Sequence, residues 1–117
     1  MKLLIVENDR RVRKLIASVV GDLSDEIFEC EDGHAAQAVY AEHLPDWVLM
    51  DLMMGETDGI TATRLIKSVF PDAKVVIVTN YDSENLRETA RSAGACAYIL
   101  KENLLELRRI LTANFTI

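Results

Sequence analysis

Five short, mainly apolar segments recur along this chain, and between them the apolar residues follow helical spacing. The segments occupy residues 3–6, 27–30, 47–50, 75–78 and 97–100. An unbroken run such as LLIV at 3–6 is typical of a strand that is covered on both faces. Strict alternation of such strands with amphipathic helices predicts a parallel sheet with helices on both sides, joined by right-handed crossovers. We therefore expect one α/β domain formed by residues 1–117.

Capping residues and apolar spacing predict five helices. Asp9 is expected to cap the first helix, Asp32-Gly33 precedes a second that runs through Tyr40, and Pro71 stops a third. The fourth and fifth are predicted at 83–93 and 103–112. The expected inward-facing residues are, in the first helix, Val12, Leu15, Ile16, Val19 and Val20, and in the third, Ile60, Ala62, Leu65, Ile66 and Val69.

The charge balance and apolar content exclude several classes of protein. Thirteen basic and 19 acidic residues give a net charge of −6, whereas a nucleic-acid-binding module is usually basic. No apolar run is long enough to cross a bilayer, and no signal-peptide pattern precedes the first strand. We therefore expect a cytoplasmic domain without direct nucleic-acid or membrane contacts. Cys30 and Cys96 are far apart in apolar stretches and are expected to be small buried residues.

Polar side chains follow four of the predicted strands, where each strand ends. Glu7-Asn8-Asp9 follows the first strand, Asp51 the third, Thr79-Asn80 the fourth and Lys101 the fifth. Ligands of open parallel sheets bind at the carboxyl ends of the strands, so these side chains are expected to converge. Each has an ordinary structural explanation when taken singly, but Asp51 directly follows a buried run and requires a cationic partner.

The residues that end these strands lie in segments that resemble the receiver domain of bacterial two-component response regulators. The segments are LLIVEND at 3–9, PDWVLMDLMMGETDG at 45–59, VVIVTN at 75–80 and AYILK at 97–101. The resemblance covers the whole chain in order and spacing. It implies a flavodoxin-like (βα)5 three-layer sandwich with a parallel sheet of strand order 2-1-3-4-5.

The same resemblance implies a phosphoryl-transfer site. Asp51 matches the phosphoacceptor, which receives its phosphoryl group from a sensor histidine kinase or a phosphotransfer protein. Lys101 matches the lysine that pairs with the phosphoryl oxygens, and Thr79 the hydroxyl drawn towards them. Mg²⁺ or Mn²⁺ is expected, with Glu7, Asn8, Asp51 and the backbone carbonyl of Met53 as ligands. The expected chemistry is self-catalysed phosphotransfer with slow autodephosphorylation, not that of a conventional enzyme.

Output is implied to pass through an aromatic switch. Tyr98 matches the aromatic residue that moves inward with Thr79 and changes the face formed by helix four, strand five and helix five. A homodimer through that face is one expected output. The kinase is expected to dock on the first helix and on the loop after strand five. The cationic residues expected on the exposed side of that helix are Arg10, Arg11, Arg13 and Lys14.

Several positions depart from the family pattern. Asn8 stands where a second carboxylate is usual, so we expect weak metal binding. Met53, Asn80 and Tyr81 flank the path of a hydrolytic water, and none of them is an acid. A long-lived phosphorylated form is therefore expected.

Three alternatives remain open at this point. A receiver-like interaction module acting without phosphorylation would explain Asn8 and Asn80, whereas the Asp51, Thr79 and Lys101 set argues against it. A flavin-binding electron carrier would need a phosphate-binding loop where the acidic 7–9 segment lies. A phosphatase with an aspartate nucleophile would need an acid at Met53.

Overall fold

The computed structural model describes residues 1–52 and 58–113. Its strands are β1 (Lys2–Val6), β2 (Glu26–Cys30), β3 (Trp47–Asp51), β4 (Val75–Thr79) and β5 (Ala97–Leu100). They form one parallel sheet in the order β2-β1-β3-β4-β5. The predicted flavodoxin-like strand order is therefore confirmed.

Five α-helices connect and follow these strands in the described residues. They are α1 (Arg10–Val20), α2 (Gly33–His43), α3 (Gly59–Val69), α4 (Glu84–Ser92) and α5 (Glu106–Thr112). The side chains that cap the first four accept a hydrogen bond from a backbone N–H two or three residues later; they are Asp9, Asp32, Asp58 and Ser83.

Two predicted helix boundaries were wrong. The second helix continues past Tyr40 to His43, and the chain leaves it only at Leu44, whose φ of 48° lies in the left-handed region. The last helix begins at Glu106 instead of residue 103, because Lys101–Asn103 form a separate 3₁₀ turn. That turn has no side-chain cap, so capping chemistry supplied no boundary signal there.

The sheet separates two apolar layers. Helices α2, α3 and α4 cover one face, and α1 and α5 cover the other. Three residues expected to face inward are exposed instead: Leu15 by 53%, Leu65 by 44% and Val69 by 57%. Their side chains belong to neither of the two apolar layers that cover the sheet. Inward positions of α3 are occupied by Gly59 and Thr63, whose hydroxyl donates to the Gly59 carbonyl at 2.7 Å.

The two cysteines differ in burial. Cys30 is buried at the end of β2 as expected, and burial raises the pKa of its thiol to about 11. Cys96 is exposed, contrary to expectation, because it precedes β5 at the edge of the sheet. No helix in the described ranges is long and apolar enough to cross a membrane.

Strand register brings the polar strand ends together. Val6 is paired with Met50, Asp51 with Val78, and Thr79 with Leu100. The residues at or just after the ends of β1, β3, β4 and β5 therefore share one edge of the sheet. The strand-end side chains at this edge include Glu7 and Lys101, each one residue beyond its strand.

Gly59 should be essential to the close approach of α3 to β3. A Cβ at this position would overlap the backbone carbonyl oxygen of Asp51. We expect Gly59→Ala to lower the free energy of unfolding by roughly 1–3 kcal/mol, measured by urea denaturation.

Gly21→Ala is the matched control for that substitution. Gly21 has right-handed helical φ and ψ, and a Cβ there would meet no atom within 4 Å. Its replacement should leave stability unchanged or raise it by about 0.4–1 kcal/mol. Equal stability of the two variants would contradict the steric role of Gly59.

Candidate functional site

Asp51 is a buried carboxylate at the carboxyl end of β3. Asp51 is only 5% exposed to solvent. The Lys101 ammonium, from the 3₁₀ turn after β5, lies 3.4 Å from Asp51 Oδ1. The same ammonium lies 2.8 Å from Glu7 Oε1. The structure thus brings together three of the residues predicted to form the site.

Glu7 is positioned by its own backbone and by the start of α1. Its N–H donates to the Cys30 carbonyl at 3.0 Å, which extends the pairing of β1 with β2. Its Oε2 accepts a hydrogen bond from the Asp9 N–H at 3.0 Å. The carboxylate of Glu7 therefore points along the edge of the sheet towards Lys101.

Burial and like charge govern protonation of the site. Burial and then the neighbouring Glu7 carboxylate raise the pKa of Asp51 to about 6, and Lys101 opposes that rise. Burial alone would lower the pKa of Lys101, but Glu7 and Asp51 together outweigh it, so this pKa is raised. Lys101 is therefore held in its charged form between two carboxylates.

An oxygen of Glu7 provides a test of whether the site fits a metal ion. Glu7 Oε1 is buried, and among the described residues it has no partner with hydrogen-bond geometry. Lys101 is near enough for an ion pair but is not aligned for a hydrogen bond. A buried carboxylate oxygen without a hydrogen bond, next to Asp51, suits a hard divalent cation.

The cavity at this edge is open and small. Its volume is about 240 Å³, and its lining consists of Glu7, Asn8, Asp9, Val12, Asp51, Thr79, Asn80, Tyr81 and Lys101. Within residues 1–52 and 58–113, no three His, Cys, Asp or Glu side chains are grouped for metal binding. The available donor set is therefore two carboxylates with the Asn8 amide at the rim, which fits Mg²⁺ that keeps several waters. Met53, the other expected ligand, lies outside the described residues.

Thr79 and Tyr98 are connected through the backbone of Tyr81. The buried Thr79 hydroxyl accepts a hydrogen bond from the Tyr81 N–H at 3.2 Å. The Tyr98 hydroxyl donates to the Tyr81 carbonyl at 2.6 Å, and the Arg87 guanidinium lies 4.6 Å from the Tyr98 ring centre. A continuous path thus runs from the cavity to α4 and β5.

Arg13 is not part of an exposed cationic surface, contrary to expectation. Arg10, Arg11 and Lys14 are exposed, but Arg13 is only 8% exposed. Its guanidinium turns towards the loop after β1, where it donates to the Glu7 carbonyl at 2.7 Å. Helical periodicity predicted that Arg13 lies on the polar side of α1. Only the structure shows that the loop after β1 and β2 cover this side chain.

The raised pKa of Asp51 predicts a pH-dependent stability difference. Below about pH 3.8 this carboxyl is protonated in both the folded and the unfolded chain, and between 3.8 and about 6 the folded protein retains the proton longer. The protonated Asp51 carboxyl therefore makes its full contribution to the free energy of unfolding at low pH, and this contribution is lost as the pH rises through about 6. In metal-free buffer, Asp51→Asn should raise the free energy of unfolding by about 2–3 kcal/mol at pH 8.

The difference in the free energy of unfolding between Asp51→Asn and the parent should disappear as the pH falls towards 3.8. Denaturant unfolding of both proteins at several pH values measures it. Asp72→Asn, which removes an exposed charge in the turn after α3, serves as the control. A difference that does not change with pH would show that Asp51 titrates normally.

Comparisons with known proteins identify the family of this fold. The model of the response regulator receiver domain family matches residues 3–112. The response regulator protein VraR of Staphylococcus saprophyticus is 37% identical over 103 residues, which cover 86% of this chain and 49% of VraR. The chemotaxis protein CheY of Bacillus subtilis is 34% identical over 101 residues, covering 86% of this chain and 84% of CheY.

A solved structure gives the same result. The receiver domain of Klebsiella pneumoniae RstA, in a BeF3-activated form, superposes with a TM-score of 0.86 and 31% identity, covering 95% of this chain and 96% of that domain. The chain spans about half the length of the first curated relatives, 49% of VraR and 54% of the YhcZ protein of Bacillus subtilis. The family match over residues 3–112, on a fold with this strand order and strand-end site, shows that the chain belongs to the receiver domains of two-component response regulators.

Proposed function

We propose that residues 1–117 form one receiver domain that accepts a phosphoryl group on Asp51. The donor is a phosphohistidine of a sensor histidine kinase or a phosphotransfer protein. The observation that carries the proposal is the buried Asp51 carboxylate, 3.4 Å from the Lys101 ammonium at the edge of an open cavity. A buried aspartate held beside a cation but still reachable from solvent is suited to act as a nucleophile.

The proposed reaction exchanges one bond to phosphorus for another. A carboxylate oxygen of Asp51 forms the new bond, and the bond from phosphorus to the histidine nitrogen breaks with its electron pair passing to that nitrogen. With a pKa of about 6, Asp51 is mainly ionised at neutral pH. Such a reaction requires mainly positioning and charge neutralisation, which Lys101 and the Thr79 hydroxyl supply to the phosphoryl oxygens.

A divalent cation would assist at the same edge. Glu7, Asn8 and Asp51 would hold Mg²⁺ or Mn²⁺, with Met53 as the further expected ligand. The ion would neutralise negative charge that develops on the phosphoryl group. Because Asn8 is neutral, the affinity is proposed to be weak.

The response passes from Thr79 to Tyr98. Movement of the Thr79 hydroxyl towards a phosphoryl group would remove the acceptor of the Tyr81 N–H, and Tyr98 is bonded to the carbonyl of the same residue. The output is a change in the α4–β5–α5 face, with homodimerisation as one form of it. Arg87 pairs with Asp82 at 3.1 Å and Arg91 with Glu88 at 2.6 Å, so a dimer would exchange these exposed pairs for contacts between chains.

The kinase docks on α1 and the turn after β5. Arg10, Arg11 and Lys14 are exposed on α1. The same helix contributes Leu15 and Val19 to a groove of about 490 Å³, whose lining also includes Glu102, Leu104 and Leu105. Exposed apolar side chains next to cationic ones suit a transient protein partner. The domain acts in the cytoplasm, where its unpaired Cys30 and Cys96 would remain reduced.

The phosphorylated form is long-lived. Asn80 and the exposed Tyr81 line the mouth of the cavity, and neither is an acid that could activate water. Met53, the third residue proposed to shield the site, lies outside the described residues.

Asp51 should be the only residue labelled by a small acyl phosphate in the presence of Mg²⁺. Intact-mass spectrometry should show one added phosphoryl group on the parent and on Asp72→Asn, and none on Asp51→Asn. Peptide mapping then identifies the labelled residue. A parent that no acyl phosphate or kinase labels would favour a receiver-like interaction module without phosphorylation.

Asn8→Asp should tighten Mg²⁺ binding. The substitution adds an anionic oxygen at the rim of the cavity, near Glu7 and Asp51. We expect an affinity gain of about tenfold by isothermal titration calorimetry. Asn80→Asp, also in the lining of the cavity, tests whether any added charge has the same effect. No gain at position 8 would show that Asn8 does not face the ion.

A further inference from the structure

The Arg13 side chain contacts the loop after β1, which carries two of the proposed metal ligands. Its Nη1 donates to the Glu7 carbonyl at 2.7 Å and approaches the Asn8 carbonyl at 3.5 Å. These are the backbone oxygens of the two residues that follow β1 and carry the proposed ligand side chains. The guanidinium therefore contacts the ligand-bearing loop without contacting the ligand atoms.

The other side of the same guanidinium faces Glu29 on β2 and Glu31 just after that strand. Arg13 Nε donates to Glu29 Oε1 at 3.0 Å, and Nη2 lies 4.0 Å from Glu31 Oε1. The Glu7 N–H donates to the Cys30 carbonyl, also on β2. The loop after β1 is thus held to β2 on both its N–H and its carbonyl side.

We propose that Arg13 is a positioning residue for the divalent cation. By holding the carbonyls of Glu7 and Asn8, it sets the direction in which the Glu7 carboxylate and the Asn8 amide leave the backbone. This inference rests on the proposed function of the site. Residues that orient the metal-ligating side chains contribute measurably to metal affinity, since a mobile ligating side chain must first be ordered before the metal binds.

Whether removal of Arg13 weakens or tightens metal binding distinguishes a positioning role from a purely electrostatic one. Arg13 is a cation close to a proposed cation site, so charge repulsion alone would weaken metal binding. Removing the charge would then tighten it. If Arg13 positions the ligands, its removal has the opposite result, because the Glu7 carbonyl loses a buried donor and the loop can turn.

Mg²⁺ titration by isothermal titration calorimetry tests the proposal directly. Arg13→Met should weaken Mg²⁺ binding by about tenfold. Arg13→Lys keeps the charge but cannot bridge Glu7 and Glu29 with a planar fork, so its affinity should lie between those of Arg13→Met and the parent. Glu29→Gln, which weakens the anchor on β2, should cause a smaller loss of affinity. Arg64→Met, an exposed position on α3, is the matched control for loss of an arginine charge.

Thermal unfolding of each variant without metal separates loss of stability from loss of positioning. A purely structural role would lower the unfolding temperature while leaving the Mg²⁺ affinity of the folded protein unchanged, and would overturn the proposal. Equal or tighter binding by Arg13→Met would also overturn it. Should Arg13→Met not fold, Arg13→Lys decides by the same criterion, because it keeps the charge and removes only the planar fork. A parent that binds no divalent cation would overturn the proposed metal site itself, together with this inference.

Discussion

Two carboxylates, Asp51 and Glu7, lie buried beside the Lys101 ammonium at the carboxyl edge of the sheet. Burial of two like charges is unfavourable, and for this reason the pKa of Asp51 is raised. Lys101 offsets part of it but is nearer to Glu7 than to Asp51. The site therefore retains negative potential, which suits a divalent cation and leaves Asp51 close to a protonation equilibrium.

Neighbouring residues fix the backbone around the site, and this fixes the distances between the charged side chains of Asp51, Glu7 and Lys101. Gly59 permits α3 to approach the Asp51 carbonyl. Arg13 holds the loop after β1, and Asp9 both caps α1 and donates its N–H to Glu7. Each contact acts on the backbone beside a charged side chain. The geometry of the site is thus determined by neighbours that do not themselves take part in the proposed chemistry.

A second set of contacts leads away from the carboxylates. Thr79 and Tyr98 meet at opposite sides of the Tyr81 peptide backbone, and Tyr98 also lies beneath the Arg87 guanidinium. A displacement at Thr79 therefore has a short hydrogen-bonded route to α4. The intrachain ion pairs on α4 are exposed and individually weak, so they can be exchanged at small cost when a partner binds.

The sequence by itself determined the alternation of buried strands with helices and the convergence of Glu7, Asp51, Thr79 and Lys101, whereas the strand order followed from its resemblance to receiver domains. Strands that are buried on both faces have an unmistakable apolar pattern, and parallel strands bring their carboxyl ends to one edge. Only the tertiary structure decided that Arg13 is buried and that Leu15 and Cys96 are exposed. Periodicity reports the face of a helix, but burial on its flank depends on which loop or helix lies beside it. Likewise, the pKa of Asp51 depends on distances between residues far apart in the chain, which no local pattern contains.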